Sequence, residues 1–159
     1  MPAQIIIIMG SKADLAHAQA ITKTLKALDI SYEMRVCSAH KATRRLLEIL
    51  QEYEQTSPLV YITIAGRSNA LSAVVDANTR FPVIACPPYS DRFGGMDILS
   101  SLRLPSGIAS PTILEPEGAA LLAAKMLALS DTQLEQRLNA YKQRITAELT
   151  RADEEVKLL

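Results

Sequence analysis

Ile5-Ile6-Ile7-Ile8-Met9 is an unbroken apolar run that stops at Gly10. Consecutive β-branched side chains favour extended backbone, because branching at Cβ restricts χ1 in a helix and packs well on a pleated surface. A strand with one wet face alternates apolar and polar residues, since neighbouring side chains point to opposite sides. No position in this run is polar, so both faces must be covered. Strands of that kind belong to parallel sheets, whose crossover connections lay helices over each face. The run is too short for the apolar region of a signal peptide or for a membrane span, and Met1-Pro2-Ala3-Gln4 before it carries no basic residue.

The rest of the chain repeats the strand–helix alternation. Leu15, Ala18, Ile21, Leu25 and Leu28 recur at helical spacing, with Asp14 placed to cap that helix or occupy its first turn. Tyr32 to Val36 reads as a second strand, and Leu46, Leu47, Leu50 and Tyr53 mark a second helix. A third strand, Val60 to Ile64, breaks at Gly66 and is followed by a small-residue helix from about Asn69 to Asn78. A fourth, Val83 to Cys86, is stopped by Pro87-Pro88. Residues 89–109 are rich in loop signals (Gly94-Gly95, Pro105, Gly107), with a short helix expected near Ile98 to Leu102. Thr112 to Leu114 is expected as a fifth strand, Gly118 to Leu129 as a helix, and a last helix runs from about Thr132 toward the C-terminus. This order predicts an α/β fold: a three-layer α/β/α, flavodoxin-like, doubly wound parallel sheet of about five strands with an extended C-terminal helix. Residues 1–159 suit a single domain. In the last helix Leu134, Leu138, Tyr141, Ile145 and Leu149 form a stripe at spacings of three and four. Such a stripe fits packing on its own domain or, over about residues 130–159, on a neighbouring subunit.

With no Trp and only 2 Phe in a chain that is 48% hydrophobic, the core must be aliphatic. Lys+Arg and Asp+Glu both number 17, so the basic excess by which nucleic-acid binders neutralise phosphates is missing. No nucleic-acid or membrane partner is expected. Cys37 and Cys86 are too few for a disulfide framework, and with His17 and His40 they lack metal-ligand spacing, so no metal site is expected and the compartment is expected to be cytoplasmic. Gly10-Ser11-Lys12 is not a phosphate-binding Walker loop, and Gly-x-Gly-x-x-Gly does not occur.

In doubly wound sheets ligands bind beyond the carboxyl ends of the strands. The segments that follow the four strands are Gly10-Ser11-Lys12-Ala13-Asp14, Cys37-Ser38-Ala39-His40-Lys41, Ala65-Gly66-Arg67-Ser68-Asn69 and Pro87-Pro88-Tyr89-Ser90. They are small and polar, as backbone approach to an anion or sugar at helix N-termini requires. His40 lies on this rim, where an imidazole that titrates near neutrality is a natural general acid or base. His17 falls mid-helix and reads as structural. Cys37 ends an apolar strand and reads as a small buried hydrophobe rather than a nucleophile. Lys41 and Arg67 follow rim segments and are candidates for a phosphate or carboxylate partner.

At these residues the sequence resembles the PurE family of purine biosynthesis over nearly its whole length, and specifically its class II branch, the aminoimidazole ribonucleotide (AIR) carboxylases. Four stretches in order carry the resemblance: Gly10-Ser11-x-x-Asp14, Ser38-Ala39-His40-Lys41, Ala65-Gly66-Arg67-Ser68-Asn69-Ala70-Leu71-Ser72 and Ser100-Ser101-Leu102-Arg103-Leu104-Pro105-Ser106-Gly107. The other branch, the N5-carboxyaminoimidazole ribonucleotide mutases, is similar but typically has Ser-Ala-His-Arg and an alanine-rich segment with a second His. Lys41 and Arg67-Ser68-Asn69 stand in those places here, which favours the carboxylase. The family's first motif usually reads Gly-Ser-x-Ser-Asp, from which Ala13 departs, removing one hydroxyl.

The resemblance implies reversible carboxylation of AIR with CO2 to 4-carboxy-5-aminoimidazole ribonucleotide (CAIR), with no cofactor. Ser11 and Asp14 would hold the ribose 5-phosphate portion, Ser38 and Lys41 would also bind substrate, Gly66 and Ser68 would line the base and CO2 pocket, and Arg67 and Asn69 would be further substrate-binding residues. His40 would shuttle the ring proton. It further implies a homo-octamer whose last helix embraces neighbours and whose residues 100–107 complete an adjacent site. The alternatives are the mutase reaction and a non-catalytic sugar-phosphate-binding module.

Overall fold

The computed structural model describes residues 3–159; Met1 and Pro2 of the N-terminal segment discussed above lie outside them. Four parallel strands, β1 (Ile5–Met9), β2 (Tyr32–Val36), β3 (Val60–Ile64) and β4 (Val83–Ala85), form one sheet in the order β2-β1-β3-β4. The isoleucine run sits near the middle of it, paired with β2 on one side and β3 on the other. Ile5 to Ile8 are all 0% exposed, as an apolar strand covered on both faces requires.

The run divides between two cores by parity. Ile5, Ile7 and Met9 join Ile21 and Leu25 of α1 (Leu15–Ala27) and Ala120, Ala123 and Leu127 of α5 (Pro116–Ala128). Ile6 and Ile8 join Leu46 and Leu50 of α2 (Thr43–Tyr53) and Leu71 and Val75 of α3 (Leu71–Ala77). That is the expected three-layer arrangement. The small side chains of α5 let it approach closely: Ala119, Ala120, Ala123 and Ala124 are all 0% exposed. Each fully buried isoleucine contributes about 1.5–3 kcal/mol by leaving water.

The fifth strand is reduced to one residue pair. Thr112 bridges Ala85 in parallel, with Ala85 N–H donating to Pro111 O at 2.9 Å and Ile113 N–H to Ala85 O at 2.9 Å. Pro111 has no N–H, and Pro116 opens α5 only four residues beyond Thr112, so the ladder has no room to extend. The segment still lies beyond β4, where a fifth strand would. Asp14 stands at the N-cap position of α1, as expected, but its side chain makes no cap hydrogen bond. Ser11 caps a short 3-10 turn (Lys12–Asp14) instead, its Oγ accepting Ala13 N–H at 3.1 Å.

A short α4 (Leu99–Leu102) follows the loop after β4, and α6 (Thr132–Val156) closes the chain. Asp131 caps α6, its Oδ1 accepting Gln133 and Leu134 N–H, both at 3.0 Å. Leu134 (0% exposed) and Leu138 (5%) dock on the first core, whereas Ile145 (38%) and Leu149 (68%) run out into the open. The stripe thus begins on its own domain and continues past it. Among the described residues no helix is long and apolar enough to cross a membrane.

Candidate active site

The ladder continues one residue past the strands. Gly10 N–H donates to Ile64 O, Cys37 N–H to Met9 O and Cys86 N–H to Thr63 O, each at 2.8 Å. The connecting loops therefore leave the sheet at a common level and meet over its carboxyl edge. Between them lies a cleft of about 490 Å3 lined by Ser11, Asp14, Ser38, His40, Lys41, Gly66, Arg67 and Ser68. Eight of the nine residues singled out in the sequence converge there.

His40 is presented by a tight turn. Ser38 closes it twice: its Oγ accepts Lys41 N–H at 3.3 Å and its carbonyl accepts Ala42 N–H at 2.9 Å. Ala39, 7% exposed, anchors the turn in the second core, and Thr43 donates its hydroxyl to the Ala39 carbonyl at 2.5 Å. His40 itself is exposed, and no described residue hydrogen-bonds its ring, which leaves the imidazole open to a ligand.

Arg67 is held with φ 59°, a left-handed conformation in which a side chain is strained. Ser100 on α4 stabilises it, its hydroxyl lying 3.0 Å from the Arg67 carbonyl and 2.8 Å from that of Asp97, and its Oγ accepting Asn69 N–H at 2.9 Å. Asn69 is the one expected ligand that does not line the cleft. It is 5% exposed, donating Nδ2–H to Ser101 Oγ at 2.9 Å while its Oδ1 accepts Ser72 N–H at 3.2 Å. A buried amide satisfied on both sides shapes the loop beneath the site. Ser100 and Ser101 thus brace the Arg67–Asn69 loop of their own chain.

Ser90, from the rim segment after β4, also lines the cleft, and two further cleft residues escaped the sequence reading: Arg92 and Asp97. They sit in the loop after β4, where Phe93, Gly94 and Gly95 take successive positive φ values of 52°, 61° and 77° and fold the chain back. Gly94-Gly95 signalled a turn but not its direction. Lys41, Arg67 and Arg92 form no ion pair among the described residues, and they face only two carboxylates, Asp14 and Asp97. Unpaired cations around a polar cleft favour an anionic ligand. Burial pushes the Asp14 carboxyl above its ordinary value, partly countered by a Ser11 backbone hydrogen bond and by His17.

The remaining reactive side chains lie apart from this chemistry. Cys37 Sγ faces Ala42 O at 3.6 Å and burial raises its thiol pKa, against a nucleophilic thiolate. His17 Nε2 lies 3.4 Å from Cys86 Sγ, and burial lowers its pKa. Burial likewise pushes the Cys86 thiol up to about 12. Among the described residues no group of three or more His, Cys, Asp or Glu is arranged to hold a metal ion. A second hollow of about 490 Å3, between the C-terminal ends of α2 and α3, is lined by Leu47, Glu54, Arg80 and Phe81 among others and holds no histidine.

Comparison with known proteins agrees with this geometry. The family model described as AIR carboxylase matches residues 4–148. The phosphoribosylaminoimidazole carboxylase of Archaeoglobus fulgidus is 49% identical over 152 residues, covering 96% of this chain and 84% of that protein. That of Treponema denticola is 46% identical over 154 residues, covering 96% and 97% respectively. The crystal structure of Treponema denticola PurE superposes with a TM-score of 0.94 at 45% identity, covering 96% of this chain and 98% of that one. With the family model matching residues 4–148 and relatives 46–49% identical over nearly the whole chain, this chain belongs to the AIR carboxylase family.

Proposed function

We propose that this enzyme carboxylates AIR with CO2 to give CAIR, reversibly, in the synthesis of purine nucleotides. The observation that carries the reading is the cleft's inventory: a single histidine, His40, on a braced turn beside unpaired Lys41 and Arg67. A CO2 carboxylase needs an anion-binding rim and one proton acceptor, and the cleft offers that combination.

An aminoimidazole is an enamine. Its amino group pushes electron density onto ring carbon 4, whose π pair forms the new bond to the CO2 carbon while one C=O π pair moves onto oxygen as carboxylate. Carbon 4 still bears its hydrogen in that adduct, and His40 removes it as a proton, returning the C–H pair to the ring. In the decarboxylation direction the imidazolium gives the proton back. A positioned acid–base group contributes about 10²–10⁴-fold, and holding CO2 beside the ring adds orientation. Lys41 and Arg67 meet the substrate's phosphate, with Ser11, Asp14 and Ser38 on the sugar side and Gly66 and Ser68 on the base side.

A homo-oligomer working in the cytoplasm, an octamer by the family resemblance, is part of the same proposal. It is supported by the exposed outer stripe of α6, with Ile145 and Leu149 open to solvent in the single chain. The reaction is tested by offering purified enzyme AIR with CO2 and, separately, the N5-carboxylated nucleotide. Turnover with AIR and CO2 is expected; turnover of the N5-carboxylated nucleotide alone would assign the mutase reaction instead.

A further inference from the structure

The rim segments that follow β1 and β4 do not belong to neighbouring strands. In the order β2-β1-β3-β4 they stand two strand spacings apart, roughly 10 Å. The first carries Ser11 and Asp14, the second Pro88, Ser90, Arg92 and Asp97, and the cleft is lined by both. The ladder ends beneath them, where Cys86 N–H donates to Thr63 O at 2.8 Å. Pro87 and Pro88 follow at once, and neither has an N–H with which to anchor the chain.

A side-chain contact spans the gap. His17, in the first turn of α1, places Nε2 3.4 Å from Cys86 Sγ at the end of β4. Cys86 is fully buried, and its thiol, pushed up to about 12, stays protonated at neutral pH. It therefore meets the imidazole as a neutral hydrogen-bonding group. Leu114 O, 3.9 Å from Sγ, is the more distant partner. His17 lies three residues after Asp14, which brings the two side chains to one side of the helix. Imidazole and carboxyl each favour the other's charged form. Asp14 makes no cap hydrogen bond that would hold its side chain to the helix end. His17 thus connects a carboxylate of the cleft to the strand on the far side of β3.

We propose that His17 is a positioning residue: pinned by Cys86, it fixes where α1 presents Asp14 to the nucleotide's sugar. It touches no reacting atom, in keeping with its place outside the cleft lining. The inference rests on the placing of Asp14 at the sugar in the carboxylase proposal above, and adds what holds that contact in position.

The test compares His17→Leu, Cys86→Ala, Cys86→Ser and the double variant His17→Leu/Cys86→Ala. AIR affinity is measured without CO2, so that nothing turns over, then initial rates are taken with CO2 present, and thermal unfolding reports whether each variant is folded. His17→Leu and Cys86→Ala are each expected to weaken AIR binding about tenfold with kcat within about twofold of the wild type. The double variant should bind AIR no more weakly than His17→Leu, because the contact is already lost. Cys86→Ser restores a hydroxyl partner and should bind AIR within about threefold of the wild type, although it is no more stable than Cys86→Ala. The two Cys86 variants carry the comparison if His17→Leu does not fold. Wild-type AIR affinity in a folded His17→Leu or Cys86→Ala, penalties that add in the double variant, or no recovery in Cys86→Ser overturns the proposal and leaves the carboxylase reading intact. A wild type that turns over only the N5-carboxylated nucleotide overturns that reading alone, since AIR affinity is read without turnover.

Discussion

The Ser100 hydroxyl lies 3.0 Å from the Arg67 carbonyl, joining α4 to the strained turn that carries a cation into the cleft. The same oxygen accepts the N–H of Asn69 at 2.9 Å, so one side chain fixes both ends of the Arg67–Asn69 turn. The motif around Ser100 thereby acts on the site from behind, through the backbone.

Replacing Ser100 with Ala should leave the Asn69 N–H and the Arg67 carbonyl without this partner. A loss of about 0.5–1.5 kcal/mol in stability is expected, with kcat/KM for AIR falling about tenfold as Arg67 loses its fixed position. Denaturant unfolding and steady-state kinetics on the same preparation check both. Unchanged values in both would show that the bridge neither supports the turn nor positions the site.

Arg67 separates strain from binding. Glycine adopts its φ of 59° at little cost, whereas alanine does not. Arg67→Gly should therefore unfold at higher temperature than Arg67→Ala, by an amount corresponding to about 1 kcal/mol. Both should raise the AIR KM by at least about tenfold, since both remove the cation. An AIR KM equal to the wild type's would remove Arg67 from the binding surface.

His17 should make the enzyme acid-sensitive. Burial holds its folded pKa below the ordinary 6.5, against the opposing pull of Cys86, Asp14 and Glu115. Between that lowered value and 6.5 the unfolded chain binds more protons than the folded one, so this contribution to stability is lost as pH falls below about 6.5. Asp14, whose folded pKa is raised from 3.8, acts with the opposite sign and at lower pH. Urea midpoints at about pH 7.5 and about pH 5.5 should differ less in His17→Gln than in the wild type. Equal differences would mean that His17 does not carry the effect.

The outer stripe of α6 is expected to hold subunits together. Ile145→Glu combined with Leu149→Glu should lower the mass measured by sedimentation, because charges replace apolar side chains at a contact between subunits. Within one chain both residues are exposed, so the unfolding of the dissociated subunit should change little. An unaltered mass would place the contact elsewhere.

The strands and the rim were legible because they follow from local pattern. Ile5 to Met9 could satisfy its two apolar faces only inside a parallel sheet, and the loops after the strands then had to share an edge. Thr112 was overestimated as a strand because Pro111 and Pro116 limit its pairing to Ala85. Asn69 was read as a ligand from its place in a rim motif, but its side chain turns inward to Ser101 and Ser72, a choice set by tertiary contacts. Arg92 and Asp97 were invisible for the converse reason. Their loop has no period, and three successive positive φ values determine where it points.

The central claim is that His40 removes the carbon 4 proton when AIR takes up CO2. The most direct measurement is the initial rate of CAIR formation from AIR and CO2 by the wild type and by His40→Asn, with AIR affinity measured for both. A fall in turnover of about 10²–10⁴-fold, with AIR affinity within a few-fold of the wild type, is the expected result. A folded His40→Asn enzyme that turns over AIR and CO2 at near the wild-type rate would contradict the account.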